Sequence, residues 1–97
     1  MAALTLQPAA TDRQYEDLIR SWTTMLLTAA DCWHAMDWIG QIDFDFEWFD
    51  IAMPRLARIR DEAEAGILGP ADSALLAGFE TLLLQYAAFL AEVAEGK

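Results

Sequence analysis

The chain has 97 residues, of which 56% are hydrophobic and 23% charged, and its 16 acidic side chains outweigh 6 basic ones to give a formal charge of −10. So much apolar content excludes a disordered acidic tail. The shortage of Lys and Arg argues against direct binding to DNA, RNA or an anionic membrane surface, each of which recruits clustered cations. At this length one domain is expected, and the single Cys32 excludes an intrachain disulfide and fits a reducing compartment. Residues 1–10 lack the basic start and sustained apolar run of a signal peptide. A cytoplasmic location is the expectation.

Taken in chain order, residues 1–10 read as a short flexible lead and residues 11–97 as one helical domain. Thr11 and Gln14 form a capping-box pattern that predicts a helix from near Asp12. Tyr15, Leu18, Trp22, Met25, Ala29, Trp33, Met36 and Ile39 recur at steps of three and four, which extends this helix to a stop at Gly40. Arg55 to Ala65 is a further helix, with Leu56, Ile59 and Ala63 on one side and Arg58–Glu62 and Arg60–Glu64 as candidate pairs. Pro54 either opens that helix or kinks a longer one that began near Asp43. Gly69 and Pro70 open a last helix, closed by Gly96, in which Leu75, Phe79, Leu82, Tyr86, Phe89 and Val93 repeat at helical spacing. Only Glu80 is charged between Ala74 and Ala91. That run raises the question of a membrane span, but a mid-span acid without flanking cations favours a helix buried on most sides of a bundle. The fold class expected is all-α: a small antiparallel bundle of three to four helices, with a short extended or kinked acidic-aromatic segment between the first and later ones.

That segment is the most specific feature. Residues 31–53 contain Asp31, Asp37, Asp43, Asp45, Glu47 and Asp50 with no Lys or Arg, so they carry six of the ten net charges. They also hold Trp33, Trp38, Phe44, Phe46, Trp48 and Phe49, six of the eleven aromatic side chains. From Asp43 to Trp48 acid and aromatic alternate, the period of a half-buried strand. As a helix, the same stretch puts Phe44, Trp48 and Ile51 on one side and Phe46, Phe49 and Met53 nearly opposite. Trp38, if it belongs to the first helix, lies about 160° from Trp22 and away from the apolar stripe.

Catalytic chemistry finds little support. Asp31, His34 and Asp37 are the nearest approach to a metal set, but helical spacing leaves them poorly aligned and the chain has one His. Cys32 and His34, two apart, face different sides. Glu80 is the one carboxyl whose apolar run suggests a raised pKa. No phosphate loop, zinc spacing or nucleophile elbow occurs, and neither an enzyme, a metal site nor a cofactor is expected. The expected function is therefore that of a small acidic binding protein or inhibitor. Asp31, Asp37, Asp43, Asp45, Glu47 and Asp50 would meet a partner's basic surface, and Trp38, Trp48 and Phe44 or Phe46 would fill its apolar pockets. The partner class is a nucleic-acid-binding complex or a toxin. By class analogy alone, phage anti-defence inhibitors of the anti-CRISPR type, immunity proteins and antitoxins share this short, acidic, motif-free character. The alternative is a helical homodimer or chaperone-like adaptor whose surplus aromatics are covered by a second copy or a client.

Overall fold

Helix α1 spans Glu16–Cys32, and its core positions are set by steps of four and three: Ile19, Trp22, Leu26 and Ala29 are buried, with Tyr15 and Trp33 continuing the row at either end. The buried stripe keeps Trp22 and Ala29 of the expected one but takes Ile19 and Leu26 in place of Leu18 and Met25, which lie on its flank. A computed structural model describes residues 14–95 of the chain; the expected lead, the Thr11 cap and the Gly96 stop lie outside them.

The first helix does not reach Gly40. It gives way to a single 3₁₀ turn at Trp33–Ala35, Met36 is extended, and Asp37 caps a new helix, α2, over Trp38–Asp45. The Asp37 carboxylate accepts the Gly40 N–H at 2.8 Å, satisfying one of the donors orphaned at a helix start. Gln41 donates its side-chain N–H to the Trp33 carbonyl at 2.8 Å and holds the reversed chain against the turn. Gly40, expected as a stop, sits inside α2.

The acidic-aromatic segment is neither strand nor loop. From α2 the chain runs without a break through a π-helical stretch, Phe46–Ala52, into α3 over Met53–Glu64. The resulting rod covers 38–64 and spans about 40 Å at 1.5 Å per residue. Its core residues explain the π turn. Phe44, Trp48, Ala52 and Leu56 are all buried at three successive steps of four. In an α-helix those twelve residues would leave Leu56 about 120° away from Phe44, at about 100° per residue. A π turn closes its ring one residue later and absorbs the surplus; here the Met53 N–H bonds to the Trp48 carbonyl. The row then behaves as though eleven residues separated its ends, within about 20° of a common face. Pro54 follows directly. It has no N–H for the Asp50 carbonyl and would crowd it in a regular helix, so the wide turn also relieves the proline. The rotation puts Ala52 in the core and Ile51 outside, contrary to the grouping of Ile51 with Phe44 and Trp48.

α3 ends in a Schellman motif. Ile67 N–H reaches the Glu62 carbonyl and Gly66 N–H that of Ala63, each at 3.1 Å, with Gly66 at φ 77°, a conformation suited to glycine. α4 spans Pro70–Gln85 behind Gly69, with Pro70 in its first turn. Asp72, buried in that turn where the helix end favours a negative charge, accepts the Tyr15 backbone N–H at 3.4 Å. The last helix is not continuous. It breaks at Tyr86 and bends by 64° into α5, Ala87–Glu95. Neither Pro nor Gly marks this break; the bend brings Phe89 onto Trp33 and Phe44 and buries Val93, while Leu84 is left exposed. No single helix is long and apolar enough to cross a membrane.

α1 and α4 lie parallel, with Tyr15 near Asp72 and Trp22 against Phe79, and the rod runs antiparallel to both. The described residues are all-α and form a small helical bundle 54 Å long and 23 by 20 Å across. Six rings form a continuous spine through it. Trp22 meets Phe79 at 5.9 Å, Phe79 meets Trp48 at 6.2 Å, and Trp48 stacks on Phe44 at 5.6 Å. Phe44 then joins Trp33 and Phe89 at 5.7 and 6.1 Å. Such pairs add to the burial of each ring.

Candidate partner-binding surface

Antiparallel packing of the rod decides where charge goes. Its first half, with Asp43, Asp45, Glu47 and Asp50, lies beside the end of α1 carrying Asp31 and beside α5 with Glu92 and Glu95. Arg20, Arg55, Arg58 and Arg60, the four cations among the described residues, belong to the start of α1 and to α3. One end of the elongated molecule therefore carries carboxylates and His34 but no Lys or Arg among the described residues, and the other is mixed.

The acidic end also exposes large apolar side chains. Trp38 is 69% exposed, Phe46 55%, and Ile39 and Ile42 54% each. Phe44 fixes the inward direction of α2. Relative to it, Trp38, Ile42, Phe46 and Ile39 fall about 120–160° around the helix, so they form one patch opposite the core. Asp43, Glu47 and Asp50 are exposed along one flank of it, and Asp45 is half-buried at the other, facing α5. Large exposed apolar groups rimmed by charge are the usual composition of an interaction surface.

The residues expected to bind a partner divide accordingly. Trp38 and Phe46 are exposed together, and Asp43, Glu47 and Asp50 lie along one flank of their patch. Phe44 and Trp48 are not available: Phe44 is buried and Trp48 is fully enclosed in the aromatic spine. The alternation of acid and aromatic hid this, because the segment is helical, so Phe44 and Trp48 share one side and Phe46 falls opposite. Asp37 is exposed but is committed to capping α2. Asp31 is exposed at the end of α1, where it lines a recess with Leu27, Thr28 and Tyr86. Ile39 and Ile42 also belong to the patch; on a first helix continued to Gly40, Ile39 would lie on the buried stripe instead. Asp37 as an N-cap was the available signal, muted by Gly40 at the position where a capping box has Glu or Gln.

Other chemistry is accounted for structurally. Glu80 is not an isolated carboxyl with a raised pKa. Arg60 donates to it through Nε at 2.6 Å and through Nη2 to the second oxygen, and this hydrogen bonding outweighs burial and lowers its pKa. Arg60 thus bonds across the bundle, and Glu62 accepts the Tyr15 hydroxyl at 2.7 Å. The bond to Glu62 is the main cause that raises the Tyr15 pKa, with burial second. Cys32 donates its thiol to the Thr28 carbonyl at 3.0 Å. Among the described residues no group of three His, Cys, Asp or Glu side chains could hold a metal ion. An open apolar groove of about 660 Å³ runs between α1 and α4, lined by Ile19, Thr23, Leu75, Gly78 and Leu82 among others, with the Glu16–Arg20 ion pair at its edge. It contains no nucleophile–base pair. The chain matches no protein-family model, and no curated protein or solved structure was found to be similar to it.

Proposed function

We propose that this protein is a small binding protein that docks its acidic end onto a basic, apolar-centred surface of another protein and blocks it. The observation that carries this reading is the patch of Trp38, Ile39, Ile42 and Phe46, each more than half exposed, on the face where the described chain offers only carboxylates. Carboxylates spaced along a rigid rod can stand where phosphates would. The partner class that fits is a cytoplasmic nucleic-acid-binding protein or a toxin, and the role is that of an inhibitor of the anti-CRISPR or immunity-protein kind. Charge would accelerate encounter, while the aromatic and aliphatic centre would set the residence time. Nothing in the site calls for catalysis.

The test is partner capture from host cells with the wild-type protein and with Asp43→Lys/Glu47→Lys/Asp50→Lys, whose changes lie on exposed positions. The captured complex is then titrated at rising salt and in competition with nucleic acid. At least tenfold weaker binding of the triple variant, salt-sensitive wild-type binding and displacement of nucleic acid are expected. Binding that survives reversal and ignores salt would refute the reading.

A homodimer is the second reading, favoured by the same exposed patch. A two-fold interface brings each surface against its own copy, so Asp43, Glu47 and Asp50 would face like charges. Light scattering at micromolar concentration separates the two: a persistent dimer that Ile42→Asp dissolves supports assembly.

A further inference from the structure

At one margin of the patch lies a recess of about 350 Å³, lined by Trp33, Trp38, Gln41, Ile42, Asp45, Glu92 and Val93. Three separate pieces of chain build it: the 3₁₀ turn supplies Trp33, α2 supplies Trp38 to Asp45, and α5 supplies Glu92 and Val93. The bend at Tyr86 turns α5 toward Trp33, as the Trp33–Phe89 ring contact at 5.6 Å shows. We infer that this recess receives one arginine side chain of the partner, an assignment that rests on the binding role proposed above and names the chemistry of its contact.

The lining is selective in two ways. Its apolar part is two indoles, Ile42 and Val93, against which a long aliphatic stem can lie and a planar cation can stack. The charge of its lining is negative: Glu92 offers an exposed carboxylate, Asp45 adds a second half-buried one, and Gln41 directs an amide N–H to the Trp33 carbonyl at 2.8 Å. A cation is therefore complementary, and an anion is not. Arginine satisfies both conditions, because its flat guanidinium stacks on an indole while its edge bonds carboxylates. Lysine offers a compact, strongly hydrated charge that cannot stack.

The experiment is an NMR titration of the ¹⁵N-labelled full chain with the peptide acetyl-Gly-Arg-Gly-amide, and with the same peptide carrying citrulline or lysine. Saturating shifts of the Trp33 and Trp38 indole N–H signals and of the Glu92 amide are expected with arginine in the millimolar range. Lysine should give weaker shifts and citrulline none. Glu92→Gln and Trp38→Ala should each weaken the arginine affinity by about threefold or more, whereas Glu64→Gln, exposed at the mixed end, should leave it unchanged. Lys97→Gln is titrated alongside, because the chain's own cation is five residues beyond Glu92 in sequence. Equal responses to arginine and citrulline, or unsaturated shifts spread over Asp43 to Asp50, in both the wild-type and Lys97→Gln proteins, would overturn the assignment. Partner capture that depends on Asp43, Glu47 and Asp50 but ignores Glu92→Gln would fault the recess alone. An arginine peptide that saturates the recess while capture ignores charge reversal would fault the broader role instead.

Discussion

Removing one residue from the middle of a long core helix ordinarily destroys the fold, yet the π turn in the 38–64 rod predicts a place where it should not. Phe44, Trp48, Ala52 and Leu56 are buried at steps of four, and the surplus residue is absorbed between Phe46 and Ala52. Deleting the exposed Ile51 converts the steps to four, three and four, the rhythm of a regular α-helix. Leu56 would then stay within about 20° of its present direction. The obstacle is Pro54, which costs about 3 kcal/mol in a regular helix interior because it lacks a donor and crowds the carbonyl four residues back. Four proteins test this: wild type, the Ile51 deletion, Pro54→Ala, and both changes together, each unfolded in urea and followed by far-ultraviolet circular dichroism. The deletion should be tolerated better in the Pro54→Ala background, with a coupling of about 2–3 kcal/mol. As a control, deleting Arg58 turns Ile59 and Ala63 by about 100° out of the core. That should cost about 2–3 kcal/mol, chiefly from the buried Ile59 at about 1.5–3 kcal/mol, with the partly buried Ala63 adding less. Additivity within about 0.5 kcal/mol, or equal damage from the Ile51 and Arg58 deletions in the Pro54→Ala background, would refute the account of the π turn.

Trp48→Ala should lower stability by about 3–5 kcal/mol because the ring is fully enclosed. Trp38→Ala should cost about 1 kcal/mol or less, since two thirds of that side chain already faces water; melting temperatures in the reverse order would contradict the assigned surface. For Arg60 and Glu80, both partly exposed, a double-mutant cycle should give about 0.5–1 kcal/mol. The Glu80 pKa is depressed in the fold, so this contribution is present above its ordinary value of 4.5 and disappears as pH falls through the folded value; a cycle measured at low pH should show no coupling. Tyr15→Phe should cost about 1 kcal/mol at neutral pH. The Tyr15 pKa is raised in the fold, so its contribution holds below pH 10.0 and is lost as pH climbs through the folded value. The Phe variant should therefore lose less stability than wild type in alkaline urea titrations.

The all-α class, the helix at Arg55–Ala65 and the start of α4 at Gly69-Pro70 were legible in the sequence, because periodicity and the stereochemistry of Gly and Pro act locally. So was the coincidence of carboxylates and aromatics over 31–53, which is composition and needs no fold. Three decisions were not local. Where α1 ends was set by Gln41 reaching back to Trp33 and by Asp37 capping the next helix, contacts that a continuous apolar stripe from Trp22 to Ile39 conceals. The bend at Tyr86 has no residue signal, and follows from packing Phe89 and Val93 into the core. Above all, the π turn rephases the rod, keeping Ala52 and Leu56 on the face that Phe44 and Trp48 already share and turning Ile51 outward. Packing made that face part of the spine, and the new helix start at Asp37 left Trp38 and Phe46 outside with Ile39 and Ile42. Charge and hydropathy along the chain established that an acidic, aromatic surface exists. Only the helix register and the antiparallel packing decided which side chains form it, because burial depends on rotation about the helix axis, and one residue's difference turns that axis by about 100°.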